Sequence, residues 1–320
     1  MLPKIRLGQS ELLVSALCYG VASFGTGVCG EEMERLFGAF RAVGGNFFDT
    51  AHCYCFWREG GLGASERALG DCLRRFGGRD EVVIATKGGH PDSGPDYRRP
   101  DDYLAPELLV SDIDDSLARL GVDTIDLYWL HRDDPRRPVA DIIGVLNEEI
   151  QRGRLRALGA SNWSVARIAE ANEYAATHGL HGFTASQPQW NLAYSTAQPG
   201  PEPTLRFLSP DDRRWHTASQ MPVVPYNSTA GGYFATDRQD GALANPISQA
   251  RRQRARTLAA QLGCTPNQVA LAYLRHQPFP VVPILGTSNL DHLHDAFGAC
   301  GVHLQPEQVR WLEEGDGGQE

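Results

Sequence analysis

At 320 residues, 42% of them hydrophobic, the chain can bury a large core and is a common size for one barrel domain, so two domains are not required. A formal charge of -9, a sequence pI near 5.6 and the absence of any Lys/Arg block exclude the electrostatic footprint of a nucleic-acid binder. No apolar run approaches the ~20 residues of a membrane span, and seven cysteines without a C-x-x-C pair, behind an opening Met1-Leu2-Pro3-Lys4 that is no export segment, predict a reducing, cytoplasmic setting.

In chain order, Ile5 to Leu7 and Leu12 to Ser15, separated by Gly8-Gln9-Ser10, read as a hairpin suited to closing a barrel floor. Short apolar runs then alternate with amphipathic stretches. Strands are predicted over 16–20, 46–49, 82–87, 124–130, 155–160, 183–187, 222–226 and 281–285. Helices are predicted over 31–43, 65–76, 105–120, 139–152, 164–178, 209–219, 266–276 and 290–297, with extra helices over 248–262 and 305–314. Pro- and Gly-rich 88–104 and 194–210 read as loops, and the tail from Gly315 to Glu320 is expected to fray. Parallel βα units in this number imply an α/β fold: a (β/α)8 TIM barrel in one domain, 1–320, with an N-terminal hairpin and extra C-terminal helices.

Three predicted strands lead into a chemically distinctive residue: Asp49 after Asn46-Phe47-Phe48, Lys87 after Val82-Val83-Ile84-Ala85-Thr86, and His131 after Ile125-Asp126-Leu127-Tyr128-Trp129-Leu130. Tyr54 follows shortly after Asp49. In a closed parallel barrel those strand ends carry the chemistry. Singly, each residue has an ordinary structural role, as loop carboxylate, strand-end charge, core histidine or half-buried aromatic. Together they have a chemical reason: a phenol, with a pKa of about 10, donates a proton poorly near neutrality unless a cation held by a carboxylate lowers that value. Histidine adds a neutral hydrogen bond to a substrate oxygen. Cys53 and Cys55 flank Tyr54, but no second Cys or His pair at ligand spacing accompanies them, so no metal is expected.

This set and its neighbours resemble the aldo-keto reductase superfamily over nearly the whole chain. The words that carry the likeness are Gly63-Ala64-Ser65-Glu66-Arg67-Ala68-Leu69-Gly70, Leu117-Ala118-Arg119-Leu120, Asp126-Leu127-Tyr128 before His131, Gly153 to Asn162, and Ser186-Gln187. Ser65 is placed as an N-cap. The resemblance implies that Asp49, Tyr54, Lys87 and His131 are catalytic, interconverting a carbonyl and an alcohol by direct hydride transfer with Tyr54 as general acid/base. It also implies that Ser161, Asn162 and Gln187 bind the nicotinamide carboxamide and that Tyr226 stacks on its ring. Gly20, Val21 and Asp49 would add cofactor contacts from the first strand ends. No G-x-G-x-x-G follows a first strand, so a Rossmann mode is excluded. The loop from Asn227 to Gly232, with Thr229 and Gly231, would instead cradle the pyrophosphate, and Gly286, Thr287, Ser288 and His292 would hold the adenosine end at a helix N-terminus.

The chain departs from that family at Asn227, where Ser is common, and at His292 and Ser288, where an Arg or Lys usually meets the 2'-phosphate. NADP(H) is therefore expected over NAD(H), with a weakened preference. Trp57, Arg58, His90, Arg132, Asp133, Trp163, Trp190 and Tyr233 fall in or beside the predicted C-terminal loops, a mixture suited to a small-molecule carbonyl or sugar-like substrate. Two other functions share the same residues: a redox-neutral sugar epimerase or lyase using nicotinamide transiently, and a nucleotide-sensing barrel resembling potassium-channel β subunits.

Overall fold

The computed structural model describes residues 1–194, 204–237, 241, 243 and 245–316. An antiparallel hairpin of β1 (Lys4–Arg6) and β2 (Leu13–Ser15) opens the chain, with Ile5 opposite Val14. Seven parallel strands follow: β3 (Cys18–Gly20), β4 (Phe47–Asp49), β5 (Val83–Gly88), β6 (Ile125–Leu130), β7 (Leu155–Ser161), β8 (Phe183–Gln187) and β9 (Ile284–Leu285). They lie in the order β8-β7-β6-β5-β4-β3-β9.

The gap between β8 and β9 is closed by 222–226, where the sequence predicts a strand and the structure shows isolated bridges. Val223 bridges Ser186 on one side and Val281 on the other. Val224 N–H donates to Ser186 O at 2.8 Å, Val282 N–H to Val223 O at 2.9 Å, and Ile284 N–H to Pro225 O at 3.0 Å. Prolines at 222, 225, 280 and 283 accept in this seam but have no N–H to give, so the ladder is cut every few residues and the predicted strand over 281–285 shrinks to two residues. The ring is nevertheless complete, and the fold is the expected (β/α)8 barrel.

Ten helices surround it among the described residues: α1 (Gly30–Ala42), α2 (Ala64–Phe76), α3 (Pro106–Leu120), α4 (Val139–Gln151), α5 (Val165–Thr177), α6 (Pro210–Ser219), α7 (Pro246–Leu262), α8 (Pro266–Arg275), α9 (Leu290–Gly298) and α10 (Pro306–Glu314). Pro follows a polar cap residue at the start of α6, α7 and α8, where a missing N–H costs nothing: Ser209, Asn245 and Thr265 each accept a first-turn backbone N–H. Ser65 is not the N-cap of α2; Gly63 is, and the Ser65 hydroxyl is spent on Val21 O at 2.7 Å, tying α2 to the end of β3. No described helix is long and apolar enough to cross a membrane. The irregular loop expected over 88–104 begins after Gly88, the last residue of β5; the centre of the 194–210 loop and most of the tail lie outside the described residues.

The barrel interior is filled from the hairpin side by Leu7, Leu12 and Val14 against Phe47, Val83, Leu127 and Trp129. Trp129 is fully buried there because β7 offers Gly159 opposite it: a Cβ at that position would stand 2.2 Å from the indole. The interior of the barrel is thus filled at its floor, and the strands' C-terminal ends remain as the mouth of the ring.

Candidate active site

At that mouth the four predicted catalytic residues meet. Asp49 ends β4 and Lys87 stands one residue from the end of β5. The Lys87 ammonium donates to Asp49 Oδ2 at 2.5 Å, Thr50 O at 2.7 Å and the Tyr54 hydroxyl at 3.1 Å. Those three acceptors use all three of its N–H bonds, which is how a lysine only 1% exposed is tolerated. Asp49 Oδ1 accepts from Gln187 Nε2 at 3.0 Å, so both carboxylate oxygens are engaged. Tyr54 is carried by the loop between β4 and α2, pinned by Tyr54 N–H to Ala51 O and Gly63 N–H to Tyr54 O, both 3.1 Å; Cys55 turns the chain in the left-handed region.

Burial is the largest influence on the Tyr54 phenol and raises it above its ordinary value, while Lys87 pulls it down by charge and hydrogen bond and Asp49 adds a smaller upward push. The expectation of a lowered value is therefore corrected: Lys87 acts in the expected sense, but burial outweighs it, and the group is a protonated phenol at neutral pH. For Lys87 itself, burial pulls downward and is outweighed by Asp49 and Tyr54, so it stays an ammonium. His131 is driven well below the usual imidazole range by burial first and then by Arg132, His90, Lys87 and His52. It is neutral, with its ring edge-to-face with Tyr54 at 5.8 Å.

The residues expected around the cofactor join the same network. Ser161 ends β7 and donates to Gln187 O at 3.0 Å. Asn162, in the left-handed region at φ 60, donates to Ser161 Oγ at 3.1 Å and His131 O at 3.3 Å, and its Oδ1 accepts from the Tyr226 hydroxyl at 2.9 Å and Arg206 N at 3.1 Å. Gly20 pairs with Asp49 across β3 and β4, and Val21 N–H donates to Asp49 O at 2.9 Å. After Tyr226 the backbone is left-handed at Asn227, Ala230, Gly231 and Gly232, with Thr229 between them. Asn suits the first of these because its short amide tolerates positive φ. Ser228 is structural, its hydroxyl donating to Ile284 O at 2.5 Å. A Cβ added at Gly231, Gly232 or Gly286 would meet no atom within 4 Å, so the loop expected at the pyrophosphate and the one expected at the adenosine end both have open space at these glycines. Thr287 O accepts from the Tyr19 hydroxyl at 2.9 Å; Ser288 is exposed; Asn289 caps α9 by accepting His292 N–H at 3.0 Å, leaving the His292 side chain in solvent.

The predicted substrate residues divide. Trp57, 51% exposed, and Arg58 sit on the Tyr54 loop, Trp57 with its ring 6.1 Å from that of Tyr54. His90 is buried with its ring 4.7 Å from His131, and Arg132 donates to His131 O at 2.8 Å. Trp163 and Trp190 do not join them. Trp163 packs on Phe183 at 5.0 Å and donates its indole N–H to Arg132 O, while Trp190 is buried against Tyr273 and Phe279 near the C-terminal helices. A large aromatic after a strand end is drawn into packing by the area it buries. Asp133 pairs with Arg167, and Tyr233 lies under Arg252.

Sequence reasoning passed over Thr50, whose carbonyl completes the Lys87 shell, and Tyr97, which packs on Phe56 and His90. No periodicity or spacing marks either. It also treated Cys53 and Cys55 alike, whereas Cys55 turns its thiol to Ala22 O at 3.2 Å and Cys53 places its sulfur 3.5 Å from His131 Nδ1.

The family model described as "Aldo/keto reductase family" matches residues 16–316. Norsolorinic acid reductase B of Aspergillus parasiticus is 30% identical over 327 aligned residues, covering 95% of this chain and 81% of its own length. Probable aldo-keto reductase 1 of Glycine max is 29% identical, covering 97% and 88% respectively. A thermostable aldo-keto reductase solved with the inhibitor epalrestat superposes with a TM-score of 0.74 at 21% identity, covering 97% of this chain and 98% of that one.

Proposed function

Since the chain belongs to the aldo-keto reductase family of NAD(P)H-dependent oxidoreductases, we propose that Tyr54 is its general acid/base in carbonyl reduction, supported by Lys87, Asp49 and His131. The observation that carries this reading is the Lys87 ammonium shared between Asp49 Oδ2 at 2.5 Å and the Tyr54 hydroxyl at 3.1 Å. A reduced nicotinamide, when bound, supplies the hydride. Tyr54 holds the proton that a developing alkoxide needs, and the adjacent ammonium stabilises the tyrosinate left behind; in a site this buried that charge is felt strongly. Neutral His131 orients the carbonyl by a hydrogen bond, while Asp49, locked by Gln187, keeps Lys87 in place.

The residues present fit the cofactor. Ser161, Asn162 and Gln187 put buried amide and hydroxyl groups beside the catalytic set, Tyr226 offers a half-buried ring face, and the loops at Asn227 to Gly232 and Gly286 to Ser288 leave room for a pyrophosphate and ribose. NADP(H) is favoured over NAD(H), with the preference weakened because His292 and Ser288 stand where an Arg or Lys usually meets the 2'-phosphate. For the substrate, Trp57 and Phe56 give aromatic faces, and Arg58, His90 and Arg132 give hydrogen-bonding groups, a lining that suits an aldehyde, ketone or ketosugar with a ring-shaped body. The test is a panel of aldehydes, ketosugars and polyols followed by nicotinamide absorbance with NADPH and NADH in turn. Turnover of at least one carbonyl class, lost in Tyr54→Phe, is expected; turnover that survives Tyr54→Phe would overturn the assignment.

A further inference from the structure

We propose that Cys53, His90 and His131 form a binding site for a zinc-class dication and that its occupation reversibly inhibits the enzyme by capturing His131. Only the inhibitory half rests on the function proposed above. The three side chains come from three strand-end loops and are each buried, with one ligand atom apiece, all within 4.8 Å of one another.

Tetrahedral zinc, with sulfur at ~2.3 Å and nitrogen at ~2.0–2.1 Å, sets its ligands about 3.3–3.6 Å apart. The Cys53 Sγ to His131 Nδ1 separation of 3.5 Å already meets that spacing. The widest gap, up to 4.8 Å, must close by about 1.2–1.5 Å on binding. One thiolate with two imidazoles is the ligand set of a borderline-soft metal, and it rules out magnesium or calcium, which take oxygen. Three protein ligands leave a fourth position for water, as in open zinc sites. The thiol proton leaves to solvent on binding, and no redox change occurs.

The consequence follows from position. His131 stands edge-to-face with Tyr54, so a metal drawn to its Nδ1 side fixes the ring in place and sets a dication beside the hydroxyl that the carbonyl must reach, while the nucleotide loops at 227–232 and 286–288 supply none of the three ligands. Zinc should compete with the carbonyl substrate and not with NADPH.

The test uses the intact protein in two arms. Titration with Co2+ should give one thiolate-to-cobalt charge-transfer band per chain, retained in Cys29→Ser, which removes the exposed thiol, and lost in Cys53→Ser. His90→Asn should weaken binding by more than about tenfold, and melting curves establish that each variant is folded. Where wild type binds cobalt without that band, or Cys53→Ser binds as well as wild type, there is no such site. In the activity arm, Zn2+ should raise the apparent KM for the carbonyl, reversed by a chelator, and Cys53→Ser, compared with its own turnover without zinc, should lose that sensitivity. Metal bound through Cys53 with turnover undiminished would overturn the inhibitory role. A protein that binds cobalt through Cys53 but reduces no carbonyl would instead overturn the proposed function and leave the site standing.

Discussion

The barrel is built two ways. From β4 to β7 the ladders run unbroken, pairing Asp49 with Ala85, Lys87 with Trp129 and Leu130 with Ala160. Across 222–226 and 280–283 prolines reduce the ladder to single bridges. An unbroken ladder consumes its backbone groups and fixes each side chain by register, so it can aim Lys87 at Asp49. A proline-cut seam cannot hold so firm a register, and it leads into the 227–232 loop, where the backbone turns left-handed at Asn227, Ala230, Gly231 and Gly232. One half fixes side chains by register; the other carries the loops proposed above to receive the nucleotide.

Breaking the first half should cost most. Tyr54→Phe keeps the ring and removes the proton, so kcat should fall by about 10² to 10⁴ with NADPH affinity unchanged by fluorescence titration. Because burial holds the phenol above its ordinary value, reduction by the wild type should stay flat as pH rises to about 9, and alcohol oxidation should climb over the same range. A decline in reduction between about pH 7 and 8 would mean that a different group gives the proton.

Lys87→Met leaves the Asp49 carboxylate buried without its cation, which should destabilise the fold by about 3–5 kcal/mol in urea unfolding as well as suppress turnover. A variant as stable as wild type would show that water reaches Asp49 and that the pair is not the anchor described.

In the other half the effects should be smaller and read in nucleotide binding. Tyr226→Ala removes a ring face and the hydroxyl that holds Asn162, so affinity for NADPH should drop by about 1–3 kcal/mol by calorimetry, with stability nearly constant. The smallest change concerns cofactor choice. His292→Arg adds a guanidinium to the exposed first turn of α9 and should favour NADPH over NADH by about tenfold more than wild type. No change in the NADPH/NADH ratio of kcat/KM would place the 2'-phosphate elsewhere.

Much of this was written in the chain. Alternating runs gave the βα order, because strand and helix periodicities are local, and Asp49, Lys87 and His131 stood out because a strand end marks a barrel mouth whichever way the helices pack. The strand over 222–226 was legible as an apolar segment but its regularity was misjudged, since prolines a few residues apart remove donors without removing the extended shape. Trp163 and Trp190 looked like lining and were taken by the core, as burial of a large aromatic depends on which helix lies beyond it. The Tyr54 phenol was expected to fall and instead rises, because the sequence shows which cation accompanies it but not how much water is excluded. The same is true of Cys53: paired with Cys55 in the sequence it gave no reason to expect a metal, and only the closing of the barrel carried its sulfur to His90 and His131, residues 37 and 78 positions away. Local pattern fixes which groups stand at the strand ends; distance, burial and the balance of charges among them arise only when the ring closes.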